Sequence, residues 1–167
     1  MKKRIGYFLG IIVFVLAIGI SYQMGKDKSE LALRSVMGNS IYKVWEGYNS
    51  IIEDSSKEMV IDSIEKMNEN LGYIEAHSSV VDRTVGEDLL QPIASKLSNI
   101  GKGIEENYYE NESFNEKQEK RYREIIEEMK KINKQITEVY YIPDSEGDVY
   151  LEIENFEELK EINKQLK

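Results

Sequence analysis

The chain has 167 residues, 31 acidic against 22 basic side chains for a net charge of −9, one histidine and no cysteine. That length holds one domain of ordinary size beside any anchoring segment. The acidic balance excludes nucleic acid as a partner, because such binding runs on basic contacts to phosphate, and the lack of cysteine excludes disulfides, a lipid-modified N-terminal cysteine and a thiol nucleophile.

Lys2, Lys3 and Arg4 are followed by an uncharged run from Ile5 to Tyr22, and charge returns at Lys26. A helix crossing the hydrocarbon core of a bilayer needs about 20 apolar residues at 1.5 Å each. The run therefore reads as a short cytoplasmic tail, 1–4, and a transmembrane helix, 5–24. No polar face interrupts it, as one would in a core helix. A cleaved signal peptide has a shorter apolar stretch ending in small residues. Ala17-Ile18-Gly19 fits that ending, but apolar character runs on through Ile20, Tyr22 and Met24, so a retained anchor is expected. The basic residues before the span outweigh Lys26 and Lys28, which flank Asp27 behind it. This bias places the N-terminus in the cytoplasm and the C-terminal domain outside the cell membrane. So short a tail leaves no room for a cytoplasmic effector. Gly6, Gly10, Ala17 and Ser21 form a small-residue face of the kind that lets membrane helices pack closely. Arg4-Ile5-Gly6-Tyr7-Phe8 resembles a type IV pilin leader boundary, but pilins carry glutamate at the fifth residue after the glycine. Ile11 stands there, and that family is set aside.

Residues 26–139 read as a helical bundle. Without the basic residues ahead of the span, the rest of the chain carries −12, which argues against lying flat on anionic lipid. Met37, Ile41, Val44, Tyr48 and Ile51 are spaced by fours and threes and share one helix face. Leu31 and Leu33 are expected to carry this seam back toward the membrane. Glu53-Asp54-Ser55-Ser56 reads as a turn whose serines cap the next helix. The second helix has the most regular column: Val60, Ile64, Met67, Leu71, Ile74, Ser78, Val81 and Val85.

A turn is expected over 82–88, because glycine and acidic residues gather there and Pro92 fits poorly inside a helix. A third helix then carries Leu89 or Leu90, Ile93, Leu97, Ile100 and Ile104. Gly101 and Gly103 weaken its end by about 1 kcal/mol each relative to alanine. Asn107 to Asn115 is polar and reads as a loop, and Ser113 with Glu116 matches a capping box. The fourth helix follows on Tyr122, Ile125, Met129, Ile132, Ile136 and Val139. The fold class is therefore all-α: one N-terminal transmembrane helix, then an antiparallel up-down-up-down four-helix bundle.

The tail, 140–167, breaks the pattern. Pro143 to Asp148 is turn-rich, and Val149, Leu151 and Ile153 alternate with polar neighbours, which predicts a short β-hairpin. Asn155 with Glu158 would cap a last helix carrying Phe156, Leu159, Ile162 and Leu166. A lone hairpin is marginal in water. It must pack on the bundle or on another chain, which makes Tyr140, Tyr141, Tyr150 and Phe156 the candidate partner surface.

No constellation for catalysis emerges. His77 has no cysteine or serine motif beside it, and Ile74 stands where a Glu-x-x-His metal pair needs glutamate. Asp144 to Asp148 fails as a calcium loop, with Val149 at the sixth position and Asn155 at the twelfth. Glu105, Glu106, Glu110 and Glu112 read as a solvated acidic surface, and Trp45, near Tyr42 and Tyr48, as core edge. No metal, cofactor or catalytic residue is assigned. The expected function is that of a membrane-integral, extracytoplasmic adaptor that binds other envelope proteins or itself. The alternative is a ligand-sensing domain signalling through a partner, since the layout resembles the four-helix bundles of chemoreceptor-type sensors. Such sensors pass their signal through a second crossing, which this sequence lacks.

Overall fold

The computed structural model describes residues 2–55, 59–140 and 156–166, and for residues 2–18 and 20 the backbone alone. It contains helices α1 (Lys2–Asp54), α2 (Ile61–Val85), α3 (Leu90–Asn111), α4 (Glu116–Tyr140) and α5 (Glu157–Gln165), with no strand among the described residues. The all-α class follows. The hairpin expected within 140–167 falls on 141–155, outside the described residues.

Each of α1 to α4 packs on its chain neighbour, and α4 closes the ring against α1. The turns force neighbouring helices to run antiparallel. Side-chain pairs between α2 and α3 bear this out: Tyr109 donates to Glu65, Asn68 to Glu105 and Gln91 to Glu75, so one number falls as the other rises. The start of α4 likewise meets the end of α1, where the charge of Asp54 acts on Tyr122. The seams read from the sequence form the core. Met37, Ile41, Val44, Tyr48 and Ile51 are buried, and so are the apolar column of α2 from Ile64 to Val81 and that of α4 from Tyr122 to Val139. Each such side chain contributes about 1.5–3 kcal/mol when fully removed from water.

α1 spans 53 residues, against 25 for α2, 22 for α3 and 25 for α4. At 1.5 Å per residue it is about 80 Å long, roughly twice its partners. Burial on α1 begins at Met37, opposite the α2–α3 turn and the end of α4. Leu31 and Leu33 therefore do not extend the packed seam. They are 67% and 46% exposed, because α1 has outrun the other helices there.

Two caps differ from expectation. The Ser55 hydroxyl donates back to the Ile52 carbonyl (2.6 Å), and α2 starts from an extended Val60 with no side-chain cap. α4 opens with a capping box two residues later than Ser113: Asn115 Oδ1 accepts the Gln118 N–H (3.0 Å), and Gln118 Oε1 accepts the Asn115 N–H (2.7 Å). The predicted loop over 107–115 is mostly helix, as α3 runs to Asn111. The Asn107 and Asn111 amides donate to the carbonyls of Gly103 and Asn107, one turn back, instead of breaking the helix. α3 ends at Glu112, whose φ of 53° is left-handed.

α5 is the last helix expected from the pattern of the tail, and it adds a fifth element to the bundle. Leu159, Ile162 and Leu166 are buried, and the helix packs on both α3 and α4. Gln135 donates to Glu158 (2.7 Å) and the Lys96 ammonium to the Asn163 carbonyl, which ties the short helix to α4 on one side and α3 on the other.

Candidate functional site

The projecting part of α1 is the first candidate surface. From Ser21 to Val36 no residue is buried, although Tyr22, Met24, Leu31, Leu33 and Val36 are apolar. The helix supports itself there by rungs one turn apart, Gln23 to Asp27 (3.0 Å) and Arg34 to Glu30 (3.0 Å), each worth tenths of a kcal/mol. Gly25 does not interrupt it. Gly6, Gly10 and Ala17 lie on this helix but outside the residues described with side chains, and Ser21 is exposed. Sixteen steps of about 100° separate Ser21 from Met37. Ser21 therefore points away from the bundle seam. Among the described residues, no helix is long and apolar enough to cross a membrane.

The aromatic candidates of the tail are placed differently from expectation. Tyr140 is fully buried and belongs to the core, so it offers no surface to a partner. The column of α4 continues through Val139 into Tyr140, one residue beyond the pattern read from the sequence. Phe156 is half-buried against the core with the Lys160 ammonium 4.0 Å above its ring. Tyr141 and Tyr150 lie outside the described residues.

Beside Tyr140 sits a buried polar group that the sequence hid. Asp82, near the end of α2, accepts N–H bonds from Leu89 (3.1 Å), Leu90 (3.1 Å) and Gln91 (2.8 Å). It thus caps α3 from the preceding helix, across the turn at Gly86 (φ 74°). Pro92 falls in the first turn of α3, where a missing N–H costs little. Burial pushes the Asp82 carboxyl up, while the three N–H bonds pull it back down. Burial and the charges of Asp82 and Glu87 raise the Tyr140 phenol, and burial and Asp82 raise that of Tyr48. The Tyr140 and Ser78 hydroxyls are buried without a partner among the described residues. This cluster is buried in the bundle core.

Two grooves open at the far end of the bundle. One, of about 360 Å³, lies between α1 and α4 on Ile52, Tyr122 and Ile126. Its charges are spent within α4: Arg123 on Glu119 (3.6 Å) and Lys130 on Glu127 (2.7 Å). The other, of about 210 Å³, lies between the end of α3 and the start of α4, on Ile100, Gly103 and Ile104, with Gln118, Lys117 and Arg121 on the opposite wall. The N-x-x-Q capping pattern at 115–118 was the signal that could have marked this wall. His77 packs edge-on against Tyr73 at 4.5 Å. Trp45 is partly buried against the core, 6.0 Å from Tyr42. No cluster of histidine and acidic side chains suited to a metal occurs among the described residues.

These features define a class: an all-α bundle at the end of a projecting helix, with small grooves between its helices. The chain matches no protein-family model, and comparison with curated proteins and with solved structures found no match either.

Proposed function

We propose that the protein is a single-pass, membrane-anchored extracytoplasmic subunit of an envelope assembly, which acts by binding other proteins and not by catalysis. The observation that carries this reading is the length of α1. A free-standing helix in water is marginal, and one exposing Tyr22 at 75% and Leu31 at 67% leaves apolar surface uncovered. A stalk of this form suits a domain held away from an anchor, the role expected of the uncharged run ahead of it. Crosslinking in native membranes, read by mass spectrometry, tests the proposal. A specific partner captured through 21–36, together with an intact N-terminus, supports it. A clean monomer, or release of the protein from membranes by high salt alone, overturns it.

The alternative, a ligand-sensing domain that signals through a partner, is favoured by the groove between α3 and α4. Saturable thermal stabilisation by a small molecule would support that reading.

A further inference from the structure

We propose that a second copy of this chain covers the outer face of the stalk. The two α1 helices lie parallel and in register along Met24, Lys28, Leu31, Ser35, Gly38 and Tyr42. The second copy is thus the occupant of 21–36 as a docking surface, the reading on which the proposal rests.

These six residues are spaced by fours and threes in strict alternation, the a and d positions of a heptad. Eighteen steps of about 100° bring Tyr42 back to the azimuth of Met24, so the stripe runs straight along one side of the helix. Thirteen steps from Met24 to Met37 set it about 140° from the seam that the other helices cover. Met24, Lys28, Leu31, Ser35 and Tyr42 are all exposed. Ala17 and Ser21 keep the same spacing toward the N-terminus. The small residues Ser35 and Gly38 let two backbones come close where the stalk meets the bundle.

The position of the bundle decides which face can pair. Tyr22, Leu33 and Val36 are also exposed. But Tyr22 shares its azimuth with Ser40, eighteen steps on, and Leu33 and Val36 lie within about 40° of that line. Ser40 is buried under the bundle. A parallel copy seated on this side would run into α2, α3 and α4. On the outer stripe the two bundles stand on opposite sides, and both α1 helices stay straight.

Charge fixes the partner and the register. Lys28 takes an a position and forms no ion pair among the described residues. Asp27, at the adjoining g position, accepts from Gln23 (3.0 Å) through one carboxylate oxygen. In a parallel, in-register pair each Lys28 lies beside Asp27 of the other copy, which offsets the repulsion between the two lysines. A slip of one heptad sets Lys28 beside Arg34 instead, a like charge.

The chain has no cysteine, so a single introduced thiol reports alone. Full-length Met24→Cys, Leu31→Cys and Ser35→Cys are compared with Ser29→Cys and Leu33→Cys under mild oxidation in native membranes. Disulfide homodimers are expected from the first three, and only background from the other two. In the Leu31→Cys chain, Lys28→Asp should abolish the homodimer, and Asp27→Lys together with Lys28→Asp should restore it, with helix content unchanged by circular dichroism. Absence of homodimer at 24, 31 and 35, equal crosslinking from both faces, or failure of the double reversal to restore it overturns the proposal. A photoactivatable maleimide on Leu31→Cys separates this failure from that of the docking reading. Capture of a different protein alone sinks the second copy and leaves docking at 21–36 standing, whereas capture of nothing sinks both.

Discussion

Gly101 of α3 lies directly against Asn68 of α2: a Cβ on Gly101 would sit 2.1 Å from the Asn68 amide oxygen and 3.0 Å from Met67 Cε. The glycine is what lets these two helices approach so closely. Asn68 cannot readily yield, because its NH₂ group donates to Glu105 on the same α3 face. Gly103, two residues on, has no such neighbour. The two glycines should therefore respond oppositely to alanine. Gly101→Ala gains about 1 kcal/mol of helix propensity but forces an overpacked contact costing about 1–3 kcal/mol, for a net loss. Gly103→Ala should stabilise by up to about 1 kcal/mol. Urea midpoints of the two variants, measured with an unchanged slope, check this. Equal effects would show that the α2–α3 contact is loose.

This contrast also shows where the sequence could be read and where it could not. The seam from Met37 to Ile51 and the column from Tyr122 to Val139 were legible because their period is a local property of one helix. The glycines were not, because the penalty at Gly101 is offset by a residue 33 positions away. Leu31 and Leu33 continue a plausible pattern but lack a partner, and only the lengths of α2, α3 and α4 decide that. Asp82 looked like a turn residue, and its role depends on where α3 begins. In the groove, Gln118 was legible only as part of a capping pattern, and the sequence offered Ser113 as a competing start.

Asp82 joins two helices through one carboxylate, so its removal should be felt beyond its own position. Asp82→Ala loses the bonds to Leu89, Leu90 and Gln91. The expected destabilisation is about 2–3 kcal/mol, since bonds to a charged group contribute about 1.5–3 kcal/mol. The pH dependence has a definite sign. Burial raises the folded-state value of this carboxyl above the ordinary one. Its contribution is then full below an unfolded value of about 3.9 and declines as pH rises through the folded value. Asp82→Asn, which cannot ionise, should lack that decline. Denaturant midpoints of both proteins from acid to neutral pH should diverge upward from about pH 4; parallel curves would refute the raised value.

Tyr109 offers a cleaner titration, because it is 60% exposed and its environment is simple. Its hydroxyl donates to Glu65 on α2, and that bond, ahead of desolvation and the charges of Glu65 and Glu105, pushes the phenol up to about 12. Glu65→Gln should return it toward the ordinary value of about 10. Because the folded value is the higher one, the contribution to stability is present below about pH 10 and lost as pH rises through about 12. The ultraviolet difference spectrum between the parent protein and Tyr109→Phe isolates the one phenol. A midpoint near 10 in the parent would show that the α2–α3 hydrogen bond does not form in solution.

The stalk and the seam can be separated by two substitutions on the same helix. Met37 is fully buried and Leu31 is 67% exposed. Met37→Ala should cost about 2–5 kcal/mol, the usual range for a large core side chain cut to alanine. Leu31→Lys should leave stability within about 0.5 kcal/mol, as surface changes do, because nothing in the described chain packs on that position. If the exposed apolar residues of the stalk serve docking, Leu31→Lys should still reduce crosslinked partner in native membranes, with folding intact. Loss of stability from Leu31→Lys comparable to Met37→Ala would place that leucine inside a packed interface of the isolated chain. Unchanged stability together with unchanged crosslinking would remove 21–36 as a docking surface, leaving the helix as a spacer whose length alone matters.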